Sequence, residues 1–211
     1  MAETTEPTTE PTAFDFGPQA RIVAALAAGV PDARLTDRTP CPEYAVGDLL
    51  AHLAGLAVAF RDAARKDLGP TTDTAPGPGV LPPLPAGWRE EIPRILDELA
   101  EAWRDPAAWA GLTRAGGVDL PGDVAAAVAA DELVVHGWDL ARSTGQGYAP
   151  DPAALHASHA FLLAAAGEAD GGGGIFGPVV PVPQDAPLLA RTVGLSGRDP
   201  AWTPPTPSPS P

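Results

Sequence analysis

The chain has 211 residues, 45% of them hydrophobic, which suits one domain with a buried core. It carries 27 acidic against 13 basic residues, a net charge of −14. That charge repels phosphate backbones and anionic bilayers, so neither nucleic acid nor a membrane surface is expected as a partner.

A single cysteine, Cys41, leaves no intramolecular disulfide framework and suits a reducing cytoplasm. The opening MAETTEPTTEPTAF is acidic and rich in Thr and Pro, without the basic and apolar regions of a signal peptide. No stretch approaches the roughly 20 apolar residues of a membrane span. Lys66 is the only lysine, and Ala, Gly and Pro are abundant, as in proteins coded by high-GC bacterial genomes.

Residues 1–12 and 203–211 read as disordered Pro/Thr/Ser tails around a domain at 13–202, because they offer too little apolar surface to offset ordering entropy. A first helix is predicted from Pro18 to Ala28, with Ile22, Val23 and Leu26 on its apolar face. Gly29-Val30-Pro31 stops it, and the prolines around Cys41 keep residues 38–42 extended. A second helix is predicted from Val46 to Asp67, where Leu49, Leu53, Leu56 and Phe60 share a face.

Residues 70–86 are rich in proline and read as a long loop. A third helix spans Trp88 to Arg104, with Pro93 near its start, where a missing N–H is tolerated. Gly116-Gly117 between short apolar pieces suggests a small hairpin within 109–121. A fourth helix runs from Asp123 to Arg142 and a fifth from Pro152 to Ala166. Gly171 to Gly174 reads as a break, Phe176 to Pro183 as extended, and Ala186 to Leu195 as a short helix. Helices of these lengths, with little strand signal, predict an all-α bundle with long loops.

The fourth helix, VAAAVAADELVVHGWDLAR, holds the chemistry. Glu132 and His136 are four residues apart, one above the other and roughly 6 Å apart along the axis. Asp139 continues the stripe, among Leu133, Val134, Val135, Trp138 and Leu140. Buried carboxylates need partners, and a divalent cation satisfies Glu and His together. A third ligand is expected from a neighbouring helix, where His52 lies at the edge of the core stripe. Each residue also has a plainer reading. His52 could be a hydrogen-bonded core histidine, Glu132 and His136 a surface pair, and Arg142 a salt-bridge partner for Asp139. His159 and Cys41 are expected to pack rather than to bind metal.

The segments TPCPEYAVGDLLAHLAG, DELVVHGWDLARSTGQ and IFGPVVPVPQDAPLLARTVGLSGRDPAW resemble the metal-binding domain of mycothiol-dependent maleylpyruvate isomerases and their DinB-like relatives. The resemblance covers most of 14–202 and points to a short actinobacterial branch without the isomerase's C-terminal domain. It implies a DinB-like four-helix bundle with a short extra C-terminal helix. It places His52, Glu132 and His136 at the family's metal-ligand positions, their donor atoms expected within about 5 Å of one another. Zinc is the default metal for such a set, with nickel, iron or manganese as alternatives. The implied chemistry is a thiol S-transferase or isomerase-like reaction joining mycothiol, or a similar small thiol, to an electrophilic substrate. Asp139 would support a ligand or act as a base. The alternatives are a metal-binding sensor or scaffold without turnover, and a metal-free helical interaction protein.

Overall fold

A computed structural model describes residues 13–74, 83–168 and 177–205. The first helix, α1 (Gly17–Ala28), begins where the Asp15 carboxylate accepts the Gly17 N–H at 2.8 Å. The second, α2 (Val46–Arg65), starts without a side-chain acceptor at Ala45. Instead, the Ala45 N–H donates to Asp48 Oδ2 at 3.1 Å. It ends two residues before the predicted Asp67 because Lys66 turns left-handed, with φ 59°.

A short helix, α3 (Pro70–Asp73), opens the segment expected to be a loop, and residues 75–82 lie outside the described residues. Helix α4 (Trp88–Ala102) contains Pro93 as its sixth residue. That is deeper than the first turn, so the proline removes an N–H that an uninterrupted helix would direct at the Arg89 carbonyl. Another short helix, α5 (Pro106–Trp109), was not anticipated.

The hairpin is β1 (Leu112–Ala115) paired antiparallel with β2 (Val118–Pro121), in the register Leu112↔Pro121 to Ala115↔Val118. Gly116 and Gly117 join the strands at φ 60° and 79°, the left-handed pair that a two-residue hairpin turn requires. Then come α6 (Gly122–Thr144), α7 (Pro152–Glu168) and α8 (Leu188–Leu195). The last begins at Leu188 rather than Ala186. The predicted glycine break at 171–174 and the two ends, 1–12 and 206–211, lie outside the described residues.

Four helices form the core in a closed ring: α1 packs on α4, α4 on α2, α2 on α6, and α6 back on α1. This is the predicted helical bundle. Val23, Leu49, Leu50, Leu53, Ile92, Leu96, Leu99 and Leu133 meet inside it, all fully buried. Helix α7 covers the outer side of α6, and α8 packs on α7. As a result α6 is enclosed on nearly every side. Ala125, Ala126, Ala129 and Ala130 give it the slim profile that such close neighbours need.

One polar residue inside the bundle fixes how α6 sits. Gln19 of α1 is fully buried. Its amide donates to the Leu133 carbonyl and to Tyr148 Oη, both at 3.0 Å, and its Oε1 accepts the Asp151 N–H at 3.0 Å. Tyr148 in turn donates to the Val134 carbonyl at 2.8 Å. A side chain at Gly137 would place its Cβ 2.9 Å from the Tyr148 hydroxyl, so glycine there gives the phenol room. Replacing Gln19 by Leu would strand these partly buried polar groups. Urea unfolding of Gln19→Leu is expected to show a loss of about 1–3 kcal/mol with an unchanged denaturant slope.

Candidate metal centre

The sequence spacing of α6 becomes a real stripe. Glu132, His136 and Asp139 follow one another along the side of α6 that meets α2, and α2 brings His52 to the same place. Glu132 Oε2 lies 3.3 Å from His52 Nε2 and 3.1 Å from His136 Nε2, so one carboxylate oxygen serves both imidazoles. The two rings meet edge to face, with centroids 4.8 Å apart. One donor atom from each residue lies within 4.8 Å of the others. Among the described residues this is the one group of three or more such donors that converges. Both histidines are buried and Glu132 is partly so.

This is a buried His-His-Glu cluster capable of coordinating a divalent metal. Two ligands on one zinc at 2.0–2.2 Å stand about 3.4 Å apart in tetrahedral geometry. The 3.1 and 3.3 Å from Glu132 to the two imidazoles are close to that spacing, and all three donors lie within 4.8 Å of one another.

His136 is held at both ring nitrogens. Nδ1 donates to Asp139 Oδ2 at 2.9 Å while Nε2 faces Glu132. Burial alone would lower its pKa. The bonds to Asp139 and Glu132 outweigh burial and raise it to about 9. Burial would raise the pKa of Glu132, but the hydrogen bonds from His136 and His52 hold it well below the carboxylate range. The metal-free pocket is therefore negative enough to keep a proton that a free imidazole would release at neutral pH.

Asp139 is fully buried and its oxygens are taken. Arg198 Nη2 donates to Oδ2 at 3.0 Å, and Nε lies 3.3 Å from both Oδ1 and Oδ2. The expected pairing of Asp139 with Arg142 does not form. Arg142 Nη2 turns outward to the carbonyls of Trp202, at 2.7 Å, and Pro200, at 3.4 Å. Sequence reasoning missed Arg198, which sits in a Gly/Ser/Pro-rich stretch far from the helical motifs.

Residues 38–45 form a loop beside the cluster. An antiparallel bridge between Arg38 and Ala45 closes this loop, and Thr39 Oγ1 lies 2.8 Å from the carbonyls of both Cys41 and Tyr44. Tyr44 is thereby held against His52, ring centroids 5.0 Å apart and 30° from parallel. Burial pushes its phenol up to about 12. The Cys41 thiol, pushed up by burial, is not among the converging donors. His159 Nδ1 instead lies 3.2 Å from Thr192 Oγ1 of α8. A cavity of about 610 Å³ opens beside the loop, lined by Arg38, Cys41, Tyr44, Trp202, Thr203 and Pro205 among others.

Residues 16–141 match the mycothiol maleylpyruvate isomerase N-terminal domain. The chain belongs to that family. The family match thus includes both segments that carry His52, Glu132 and His136. Two uncharacterized proteins of Mycobacterium tuberculosis, from strains CDC 1551 and H37Rv, are each 25% identical to it over 176 residues. The alignment covers 83% of this chain and 91% of theirs. The crystal structure of the mycothiol-dependent maleylpyruvate isomerase superposes with a TM-score of 0.50 at 17% identity, which shows a shared fold. That superposition covers 68% of this chain and 65% of the isomerase, so about a third of the isomerase has no counterpart in it. Among the described residues no helix is long and apolar enough to cross a membrane.

Asp131, next to Glu132, points away from the cluster to α7, where Ser158 Oγ donates to it at 2.7 Å. Burial outweighs that single bond and raises its pKa to about 7. In the unfolded chain it ionises near the ordinary 3.8. The native state therefore holds the extra proton between these values, and the stability this contributes is lost as pH rises from about 4 to about 7. Metal-free Asp131→Asn should lack this dependence. Urea unfolding should find it more stable than wild type at pH 8, by a few kcal/mol, with the difference shrinking towards pH 4.

Proposed function

We propose that the chain holds one divalent metal ion, zinc in the first place, on His52 Nε2, Glu132 and His136 Nε2, and uses it in a thiol-dependent transfer or isomerase-like reaction. The observation that carries this reading is the convergence of the three donors at one place; Tyr44, which packs on His52, also lines a cavity of about 610 Å³. A cation held by three protein ligands keeps a position open, lowers the pKa of a thiol bound there and polarises a carbonyl.

The chain's own residues have distinct parts. Glu132 supplies the negative charge. Asp139 accepts a hydrogen bond from the Nδ1–H of His136, which turns the Nε2 lone pair towards the metal position. With both carboxylate oxygens engaged and no exposed surface, Asp139 supports a ligand and is badly placed to act as a base towards substrate. Tyr44 closes one side of His52 and keeps its phenolic proton at neutral pH. The cosubstrate proposed is a low-molecular-weight thiol of the mycothiol type, paired with an electrophile in the cytoplasm. That choice rests on the family to which the chain belongs.

A second reading is a metal-binding module without turnover. It is favoured by the family match, which is to an N-terminal domain, and by the 65% coverage of the isomerase.

Elemental analysis of tag-free protein should find about one divalent metal per chain, and His136→Ala should lose most of it. A protein without bound metal at micromolar zinc would sink both readings. In the cobalt-substituted protein, a millimolar small thiol should bring in a thiolate-to-metal absorption band. Its absence would leave the module reading standing.

Zinc affinity should also rise with pH, by about tenfold per unit up to about 9, because His136 must release its Nε2 proton to bind. Chelator competition from pH 6 to 9 measures this, and a flat profile would show that His136 binds no metal.

A further inference from the structure

The region of this chain beyond residue 141 lies outside the family match, yet it reaches the centre of the site. We propose that segment 196–205 completes the metal centre, with Arg198 as the positioning residue that fixes His136 through Asp139. The proposal rests on the metal reading above and adds a residue outside the three ligands.

The geometry is a relay of three side chains. His136 Nδ1 donates to Asp139 Oδ2 at 2.9 Å, and Arg198 Nη2 donates to that same oxygen at 3.0 Å. Arg198 Nε spans both carboxylate oxygens at 3.3 Å. Its remaining arm, Nη1, donates to the Ser196 carbonyl at 3.0 Å and ties the guanidinium to its own turn. Asp139 is fully buried and the Arg198 side chain is 13% exposed. A planar fork in this setting fixes the rotation of the carboxylate, and the carboxylate fixes the rotation of the imidazole.

With Nδ1 bonded to Asp139, Nε2 is the atom of His136 that faces Glu132 and the proposed metal position. One turn along α6, Arg142 grips the Trp202 carbonyl. The segment is therefore held on α6 at two points. Trp202, Thr203 and Pro205 line the same cavity as Tyr44. One stretch of chain both holds Asp139 and lines the cavity beside Tyr44.

An ion pair that only neutralised a buried carboxylate would look similar, and the two roles separate on the metal rather than on stability. Cobalt affinity, by competition with a chromophoric chelator, and the visible d–d spectrum are measured for full-length wild type, Arg198→Lys, Arg198→Met, Asp139→Asn and the Arg198→Met/Asp139→Asn pair. Arg198→Met should bind cobalt about 10- to 100-fold more weakly, with shifted d–d bands. Arg198→Lys should fall between it and wild type. Asp139→Asn should show a loss of similar size, and adding Arg198→Met to it should cost little more, because the route through Asp139 is already broken.

Wild-type affinity and spectrum in folded Arg198→Met, or losses that add fully in the pair, would overturn the proposal while leaving the metal reading intact. If Arg198→Met does not fold, Arg198→Lys decides: weaker binding with shifted bands supports the relay, and values identical to wild type overturn it. Wild type that binds no cobalt would overturn both.

Discussion

Glu132, His136 and Asp139 sit on a helix packed against neighbours on almost every side, and charged groups in such a place must be paired. Everything distinctive about the fold follows from how α6 meets that demand. His52 comes across from α2 to share an oxygen of Glu132 with His136. Arg198 comes from the far end of the chain to Asp139. Even Asp131, aimed the other way, is met by Ser158 from α7. The polar stripe would be destabilising in an isolated bundle helix. Here each member recruits a different element, and so ties α2, α7 and the C-terminal segment to α6.

This pairing remains incomplete in a way that has chemical meaning. In the metal-free state a proton on His136 sits between two carboxylates, and its pKa of about 9 measures how much the pocket favours positive charge. The site has the charge, the donor atoms and the spacing for a divalent ion. Tyr44 links the cluster to its surroundings: it packs on His52 and lines a cavity shared with the C-terminal segment.

The placement of the site also explains the order of the helices. The α2–α6 contact is one side of a closed four-helix ring, so the two helices that carry the His-His-Glu cluster are held in register by the whole core rather than by the cluster. Gln19 adds a polar lock from α1 to the carbonyls and hydroxyl around Leu133 and Tyr148, one residue from Glu132. The surrounding core therefore keeps the three donors close to one another.

Much of this was legible in the amino-acid order. The helical repeat of Leu49, Leu53, Leu56 and Phe60, the Glu132–His136–Asp139 spacing and the Gly116-Gly117 turn all act within a few residues, where backbone geometry dictates which side chains share a face. The sequence therefore determined the bundle helices, the hairpin, and the side of α6 on which the polar stripe lies. The burial of Gln19 and its three partners came only with the fold. Only the tertiary structure decided that Arg198 rather than Arg142 pairs with Asp139, that Lys66 ends α2, and that Tyr44 packs on His52. Those outcomes join residues far apart in the chain or set one local option against another. They depend on how whole helices pack, and no period in the sequence records it.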